Sequence, residues 1–366
     1  MERQETPDLA VELCGLTLAN PFVLASGPLS FSAKAIRAAF AAGSSAVVTK
    51  TISSRPTINP IPHMADIGQG ALLNTEGWSD LTAEAWVDRE LPALRERDGI
   101  LIASLGHTAA DVEAWAGPVA AAGVDMLEVV SYVAGDMPAL VRAAKAAVEA
   151  PVLAKVSANW PDLLDVVGAL VKAGADGIAA IDSIGPTLRI DIETGRPVLN
   201  RTGWLSGSPI RPISQRIVAD IALRYDVPIV GTGGIGRGVE AVEMLMAGAT
   251  AVGVHTAPLL RGLDFFDRAV KEMRQFLVAH DYDCAAQLQG LTLSHLKTPL
   301  EPAGLTFAFD ADCCTHCNRC VEVCAYRARR LVGDEMRVDE GECRLCGLCV
   351  AVCKPGALRC ELATSS

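Results

Sequence analysis

Short, continuously apolar runs alternate with amphipathic stretches along most of the chain. Eight such runs occur, at 22–25, 46–49, 100–104, 126–131, 152–156, 177–181, 227–231 and 251–255. Between them, apolar residues recur every three or four positions over 107–122, 136–149, 163–171, 210–224 and 237–247, as in helices with one buried face. Apolar strands that alternate with helices predict a parallel sheet buried on both faces. Eight repeats over about 250 residues predict an α/β fold, a (β/α)8 TIM barrel.

A doubly wound open sheet is the alternative fold. Such a sheet usually has fewer strands and a G-x-G-x-x-G fingerprint after the first strand. Here the first strand ends in the sequence ASGP at 25–28, which favours the barrel. Alternating apolar positions at 10–20 predict a short hairpin ahead of it.

Two long segments interrupt the repeat, 52–80 after the second strand and 184–208 after the sixth. Both follow the C-terminal ends of strands, which form the face where active sites of barrels lie. We expect irregular loops that form a lid or the walls of a substrate site. The barrel is expected over 1–280, and a connector over 281–308 leads to a small domain at 309–366.

The small domain contains the spacing C-x2-C-x2-C-x3-C twice, at 314–324 and 343–353. This is the spacing of bacterial two-cluster ferredoxins, in which the fourth cysteine of each run binds the other cluster. We therefore predict a ferredoxin-like α+β domain with two 4Fe–4S clusters. One cluster is assigned to Cys314, Cys317, Cys320 and Cys353, and the other to Cys343, Cys346, Cys349 and Cys324. Zinc sites are the alternative, but zinc needs four ligands per site and no crossed partner.

Composition and charge narrow the function classes. The chain has 366 residues, 50% of them hydrophobic, and a net charge of −11, which argues against a nucleic-acid partner. No run of 18 apolar residues indicates a membrane helix, and residues 1–7 lack an apolar signal core. Cluster cysteines must stay reduced, so we expect the cytoplasm.

A phosphate site is predicted at one end of the barrel. The sequence GTGGI at 231–235 follows the seventh strand, and GVHT at 253–256 ends the eighth. Barrels commonly bind phosphate after these two strands, through backbone N–H groups. The sequence SGS at 206–208 could supply further N–H groups. A phosphate-bearing cofactor that exchanges single electrons with iron–sulfur clusters and passes on two is a flavin, and one phosphate cradle without a second nucleotide fold indicates FMN.

With these features the chain resembles the dihydroorotate dehydrogenase / dihydropyrimidine dehydrogenase family over about 11–280. The tail is similar to the C-terminal part of dihydropyrimidine dehydrogenase and to its bacterial iron–sulfur subunit. The matching segments are NPFVLASGP (20–28), VVTKTI (47–52), ILIASLG (100–106), LAKVSAN (153–159), GADGIAAIDS (174–183), SGSPIRP (206–212) and VGTGGI (230–235). The resemblance implies FMN contacts at Ala25, Ser26, Lys50, Thr51, Lys155, Gly207, Gly233, Gly234 and Thr256. The two lysines would stabilise the anion of the reduced flavin.

The substrate side departs from the family pattern. The family's Asn-x-Glu is matched by Asn74 and Glu76, but its Asn-Thr after the sixth strand is replaced by Asp182 and Ser183. The resemblance assigns substrate contacts to these four residues. The carboxylate of Asp182 can only accept hydrogen bonds. A uracil-like ring would therefore lose the donor that the amide of asparagine offers at this position.

The family's fourth strand ends in Asn-x-Ser-Cys-Pro, where the cysteine is the general acid or base. A gapless alignment puts Val130 on the asparagine and Val133 on this cysteine, whereas a one-residue deletion puts Ser131 on the serine and Tyr132 on the cysteine. The acidic thiol is absent in both cases. Tyr132 is the best substitute because a phenol can donate a proton. The further candidates are Ser131, together with His107 and Glu76 elsewhere in the chain.

These features predict an oxidoreductase that passes electrons between 4Fe–4S clusters and FMN and acts on a small unsaturated substrate, not an ordinary pyrimidine. The electron partner is expected to be a ferredoxin or an FAD/NAD(P)H flavoprotein subunit, and the assembly a homodimer or hetero-oligomer. One alternative is a dihydropyrimidine dehydrogenase with a variant acid. Another is a non-catalytic electron-relay subunit. A tRNA-modifying flavin barrel is disfavoured by the negative charge.

Overall fold

The structure is a computed structural model that describes residues 6–297 and 305–362. Eight parallel strands form a closed barrel, as predicted. In chain order, strands one to eight are Phe22–Leu24, Ala46–Val48, Ile100–Gly106, Met126–Val130, Val152–Val156, Gly177–Ala180, Ile229–Thr232 and Ala251–Val254. Each strand pairs with its neighbours in this order, and strand eight closes the ring by pairing Val252 with Phe22.

The barrel strands are mostly apolar because side chains on both of their faces are buried, and the exceptions include Ser104, Glu128 and Lys155. Every residue of strands one, two, four, five, six and eight is buried. The surrounding helices are Ala33–Ala41, Ala109–Ala121, Met137–Ala147, Leu163–Lys172, Arg211–Arg224, Gly238–Met246, Thr256–Arg261 and Phe265–Ala279. After strand two, short helical turns take the place of one helix, at Ala83–Ala85, Trp86–Glu90 and Pro92–Leu94.

The two interruptions were predicted to be irregular loops. Instead, strands from both of them meet in one antiparallel sheet. Its strands are Ile184–Thr187, Gly203–Gly207, Ala71–Asn74 and Met64–Gly68, in that spatial order. The first insertion contributes a hairpin, and the second adds a strand that pairs Trp204 with Asn74. The prediction failed because these strands are short and the central pairing, between Ala71–Asn74 and Gly203–Gly207, joins residues more than a hundred apart. A small ribbon, Ile190–Asp191 with Arg196–Pro197, extends the second insertion.

The hairpin expected at 10–20 is present, as Val11–Leu13 paired with Leu16–Leu18. After the barrel come two short turns, Ala285–Leu288 and Leu293–Lys297. Residues 1–5, part of the segment expected to lack a signal core, and residues 298–304 of the expected connector lie outside the described residues. In the described part of the chain, no helix is long and apolar enough to cross a membrane.

Contacts divide the chain into two units, Met1–Leu296 and Lys297–Ser366, and the predicted boundaries at 280 and 308 stay predictions. The second unit repeats one pattern twice. Each cysteine run contains a one-turn helix, Arg319–Glu322 or Leu348–Ala351, and is followed by a strand, Arg329–Val332 or Leu358–Leu362. The first of these strands pairs with Glu335–Val338 and the second with Leu305–Phe309.

Candidate active site and cluster sites

A cavity of about 1100 Å³ lies at the C-terminal ends of the barrel strands. All nine residues predicted to contact FMN line it, namely Ala25, Ser26, Lys50, Thr51, Lys155, Gly207, Gly233, Gly234 and Thr256. The four predicted substrate residues, Asn74, Glu76, Asp182 and Ser183, line it as well, and so does Tyr132. The fold thus brings together residues that are far apart in the sequence, while their individual roles stay predictions.

The phosphate end of the cavity is built from glycine backbone and hydroxyl groups. Gly207 and Gly234 have φ values of 90° and 82°, in the left-handed region that favours glycine. A Cβ on Gly234 would lie 2.7 Å from the backbone N of Arg211, so the two segments approach too closely for any side chain. The Thr256 hydroxyl donates to the Ser206 hydroxyl at 2.8 Å. Open N–H groups and hydroxyls at this place fit an FMN phosphate.

Lys50 is buried in an ion pair with a residue of the first insertion. Its Nζ lies 2.5 Å from Oε1 of Glu76, and the side chains are 5% and 10% exposed. Nε2 of His63 approaches the other oxygen, Oε2, at 3.0 Å, but without the alignment of a hydrogen bond. The Glu76 carboxylate is therefore held by its ion pair with Lys50.

Lys155 lies among acids on the other side of the barrel. Its Nζ is 3.8 Å from Oδ1 of Asp182. Burial opposes its charge, but Asp182 and Glu128 outweigh burial and raise the pKa of Lys155, which keeps it charged. Burial raises the pKa of the Glu128 carboxyl, against the attraction of Lys155 and the Ser104 hydroxyl. Both lysines of the cavity therefore face a carboxylate that also lines it.

His255 is a cavity residue for which the sequence analysis proposed no role. Its Nδ1 lies 2.8 Å from the carbonyl oxygen of Ala25, which it can reach only as a donor. Burial, aided by the charges of Lys155 and Lys50, lowers the pKa of His255 to about 4 despite this hydrogen bond. The ring is thus neutral at pH 7, with its proton fixed on Nδ1. Its position in the sequence GVHT, directly after strand eight, could have identified His255 as a residue of the cavity.

Four rings form a stacked column at the substrate side, which we call the aromatic column (His107, Trp78, Tyr132, Trp204). Tyr132 lies between Trp78 and Trp204, with ring centroids 4.9 and 5.3 Å away and planes within 26° and 17°. His107 stacks on the far side of Trp78 at 5.8 Å. Burial between the indoles, with the Asp182 carboxylate nearby, raises the pKa of Tyr132 to about 12, although half of its surface is exposed. Tyr132 is therefore a protonated phenol at neutral pH.

Sequence analysis missed Trp78 and Trp204, and two of its catalytic candidates do not line the cavity. The indoles belong to different insertions, and only the insertion sheet brings them together. Ser131 is buried, and its hydroxyl accepts a hydrogen bond from the Val133 N–H at 3.2 Å, which fixes the turn that carries Tyr132. His107 is the outer ring of the aromatic column. Catalysis by Ser131 or His107 stays a prediction without a cavity contact to support it.

Seven of the eight predicted cluster cysteines lie near others of their assigned set, and the crossed assignment itself stays a prediction. A cavity of about 310 Å³ is lined by Cys324, Cys343, Cys346 and Cys349, the set assigned to one cluster. In the other set, the charges of Cys353 and Cys317 add to burial in raising the pKa of Cys320, which places these three close together. In residues 6–297 and 305–362, no three His, Cys, Asp or Glu side chains converge on a point that could hold a single metal ion. The four thiols line one cavity, and this set of soft ligands has the chemistry to hold a cubane cluster.

Comparison with known proteins agrees with both units. The family model described as dihydroorotate dehydrogenase matches residues 8–277, and the one described as 4Fe-4S dicluster domain matches 307–354. Similar proteins include the "Dihydroorotate dehydrogenase B (NAD(+)), catalytic subunit" of Methanothermobacter thermautotrophicus, 33% identical over 77% of this chain and 98% of the relative. The proteins of the same name from Pyrococcus abyssi and Geobacter sp. are 32% and 31% identical, each over 78% of this chain and 99% and 98% of the relative.

Dihydroorotate dehydrogenases are flavin oxidoreductases that act on CH–CH groups, and the dicluster domain indicates iron–sulfur clusters. The barrel match covers well over half of the chain. The chain therefore belongs to the dihydroorotate dehydrogenase family.

Proposed function

We propose that this protein exchanges two electrons and two protons, as a hydride equivalent and a proton, with a small, flat, unsaturated substrate other than an ordinary pyrimidine, at a CH–CH or conjugated C=C or C=N bond. The observation that carries the proposal is the end of strand four. There Tyr132 lies stacked between two indoles and lines the cavity, and no cysteine is among the described residues that line it. The acid that the resemblance leads us to expect is thus replaced in chemistry and in shape.

The residues present fit a bound FMN, which would supply the exchange between one-electron and two-electron transfer. Gly233, Gly234 and Thr256 would hold its phosphate, and Ala25 and Thr51 would contact the rest of the cofactor. The buried charge of Lys155 would stabilise negative charge on the ring system. Asp182 and Glu128 keep that charge on the lysine across the neutral pH range.

Tyr132 is proposed as the proton donor. For reduction of a conjugated double bond, a hydride equivalent forms the C–H bond at one carbon, and the Tyr132 hydroxyl gives its proton to the neighbouring carbon. The phenolate would regain its proton from solvent, since half of the tyrosine surface is exposed. The high pKa keeps the donor loaded until the substrate carbon develops negative charge.

The charges of the cavity favour a substrate without a carboxylate. Lys50 is paired with Glu76, and Lys155 lies beside Asp182, so neither lysine offers a free charge to an anionic ring. Trp78, Tyr132 and Trp204 line the cavity and offer aromatic surface against which a conjugated ring could pack. Asn74 and Asp182 are the polar groups that would orient it. This arrangement supports a neutral or cationic ring over orotate.

A dihydropyrimidine dehydrogenase activity remains the second candidate, because Asn74 and Glu76 both line the cavity as the family pattern requires. The relay subunit is the third, and its distinguishing property is cluster absorbance without flavin. In the first two cases electrons would come from a separate ferredoxin or FAD/NAD(P)H flavoprotein subunit. The word "catalytic subunit" in the relatives' names fits such a partner.

The test is reoxidation of the reduced flavin under anaerobic conditions. Purified protein is first assayed for FMN, iron and sulfide, then reduced and mixed with uracil, thymine, orotate and a panel of neutral and cationic conjugated rings. We expect fast reoxidation by a member of the panel and none by the three pyrimidines. Fast reoxidation by uracil or orotate would overturn the substrate proposal, and a protein without flavin would establish the relay.

A further inference from the structure

Arg329 is a buried cation without a counter-charge among the described residues. Arg329 is the first residue of the strand Arg329–Val332, and only 3% of its surface is exposed. Within 6–297 and 305–362, neither Nη1 nor Nη2 has a hydrogen-bond partner. Burying a guanidinium without an anion or acceptors costs several kcal/mol, so such a group is expected to face a ligand that satisfies it.

The guanidinium of Arg329 lines the cavity of Cys324, Cys343, Cys346 and Cys349. Its Cζ lies 4.3 Å from the centre of the Phe307 ring, which covers one face of the plane. The N–H groups at the edge of that plane therefore remain as donors toward the cavity. A 4Fe–4S cluster with four thiolate ligands is an anion with sulfur acceptors, and it would supply what the arginine lacks.

The other arginine of this cavity is already satisfied. Nη1 of Arg344 donates to the Gly341 carbonyl at 2.7 Å, and its Cζ lies 5.9 Å from the Tyr326 ring. Arg329 is thus the cation left for the cluster.

The domain has two similar halves, and the residue of the other half that corresponds to Arg329 is Leu358. Arg329 is five residues after Cys324, and Leu358 is five residues after Cys353. Both begin a strand, and both follow a buried alanine. Leu358 is as buried as Arg329, and its backbone N–H donates to Sγ of Cys353 at 3.3 Å. The two halves therefore share a backbone plan but differ by one buried positive charge.

We propose that Arg329 donates N–H hydrogen bonds to the cluster held by Cys324, Cys343, Cys346 and Cys349, and thereby raises its reduction potential above that of the other cluster. The proposal rests on the cluster ligands proposed above. Reduction adds an electron to an anionic cluster, and a nearby buried cation stabilises the more negative state. A single electron entering the domain then resides on the Arg329 cluster, and the leucine half holds the cluster of lower potential.

The test is an anaerobic redox titration of the whole protein, followed by EPR, in which Arg329→Leu copies the residue of the other half. We expect the one-electron reduction constant of one cluster to fall at least tenfold, about 59 mV for one electron, while the other cluster is unchanged. The matched control is Arg330→Leu, which removes the same charge from the exposed neighbour on the opposite face of the strand. Equal potentials in Arg329→Leu and Arg330→Leu would overturn the proposal.

A measurement of iron content distinguishes a failure of this inference from a failure of the proposed ligand sets. About eight irons per chain in the unaltered protein support two cubanes, and a value near four contradicts the ligand sets themselves. If the Arg329→Leu protein retains only half of the iron of the unaltered protein, the variants Arg329→Met and Arg329→Lys distinguish an effect of charge from an effect of packing. Loss of iron in the neutral methionine variant with retention in the lysine variant supports a cation that holds the cluster. Loss in both variants shows that the arginine acts by packing and overturns the proposal.

Discussion

At the scale of single residues, the site is defined by which side chains keep a proton at pH 7. Tyr132 keeps its proton because burial and the Asp182 carboxylate disfavour the phenolate. His255 lacks a second proton because burial and two lysines disfavour the imidazolium. A phenol that keeps its proton, beside an imidazole that stays neutral, supports the proposal that Tyr132 is the acid of the cavity.

Replacing Tyr132 by phenylalanine tests this assignment. The ring and its stacking on Trp78 and Trp204 remain, but the proton is lost, so we expect turnover to fall by about 10²–10⁴. FMN content should stay the same. Tyr225→Phe is the matched control, because its hydroxyl donates to the Leu164 carbonyl at 2.7 Å and does not line the cavity. Turnover of Tyr132→Phe within twofold of the unaltered protein would exclude Tyr132 as the donor.

His255 gives a pH prediction whose sign follows from its lowered pKa. Between about pH 6.5, the ordinary histidine pKa, and pH 4, the unfolded chain binds a proton at this residue and the folded chain does not. Its contribution to stability is therefore complete above pH 6.5 and is lost as the pH falls toward 4. A fall in pKa from 6.5 to about 4 corresponds to about 3–4 kcal/mol, all of which is lost only below pH 4.

His255→Asn keeps a donor for the Ala25 carbonyl but cannot be protonated. Urea unfolding at pH 7 and pH 4.5 should show a smaller loss of stability in this variant than in the unaltered protein. Carboxylates titrate alike in both proteins, so the difference between the two losses isolates the histidine. Equal losses would show that His255 is charged, or is not buried, in the folded protein.

At the scale of secondary-structure elements, what the sequence predicts depends on how far apart the interacting residues are. The barrel strands are predictable because burial on both faces makes each one mostly apolar by itself, as in Ala251–Val254. The insertion sheet is not, because Leu72 and Ser206 pair although neither segment alternates clearly. The aromatic column depends on that pairing and was missed for the same reason. The cysteine runs were predictable because their ligand spacing is local.

The glycine turn after strand seven is an element whose geometry can be tested. Gly234→Ala places a Cβ against the backbone of Arg211 at a φ of 82°, so we expect a loss of more than about 1 kcal/mol and a clear loss of FMN affinity. Gly117→Ala is the control, because this glycine lies inside the helix Ala109–Ala121 and a Cβ there meets nothing within 4 Å. It should stabilise the protein by about 0.5–1 kcal/mol. Retained FMN in Gly234→Ala would show that the turn does not form the phosphate cradle.

At the scale of the whole molecule, the barrel and the cysteine unit differ in how far apart in the sequence their paired strands lie. The barrel closes around strands that are neighbours in sequence, so its assembly needs mostly local pairing. The cysteine unit pairs its first strand, Leu305–Phe309, with its last, Leu358–Leu362, and so brings the two cysteine runs together. Crossed ligation would connect the same two halves a second time, since each cluster would then need a cysteine from both runs.

The crossing can be tested with alanine variants and EPR of the reduced protein. If Cys353 belongs with the first run, Cys353→Ala and Cys314→Ala should remove the same cluster signal, and Cys324→Ala and Cys343→Ala should remove the other. Uncrossed ligation predicts the opposite pairing, with Cys353→Ala matching Cys343→Ala. Cys360→Ala is the control, because this exposed thiol lies outside both runs and both signals should persist. Since the cavity lined by Cys343 includes Cys324 and not Cys353, the structure favours the crossed result, and matching signals from Cys324→Ala and Cys314→Ala would contradict it.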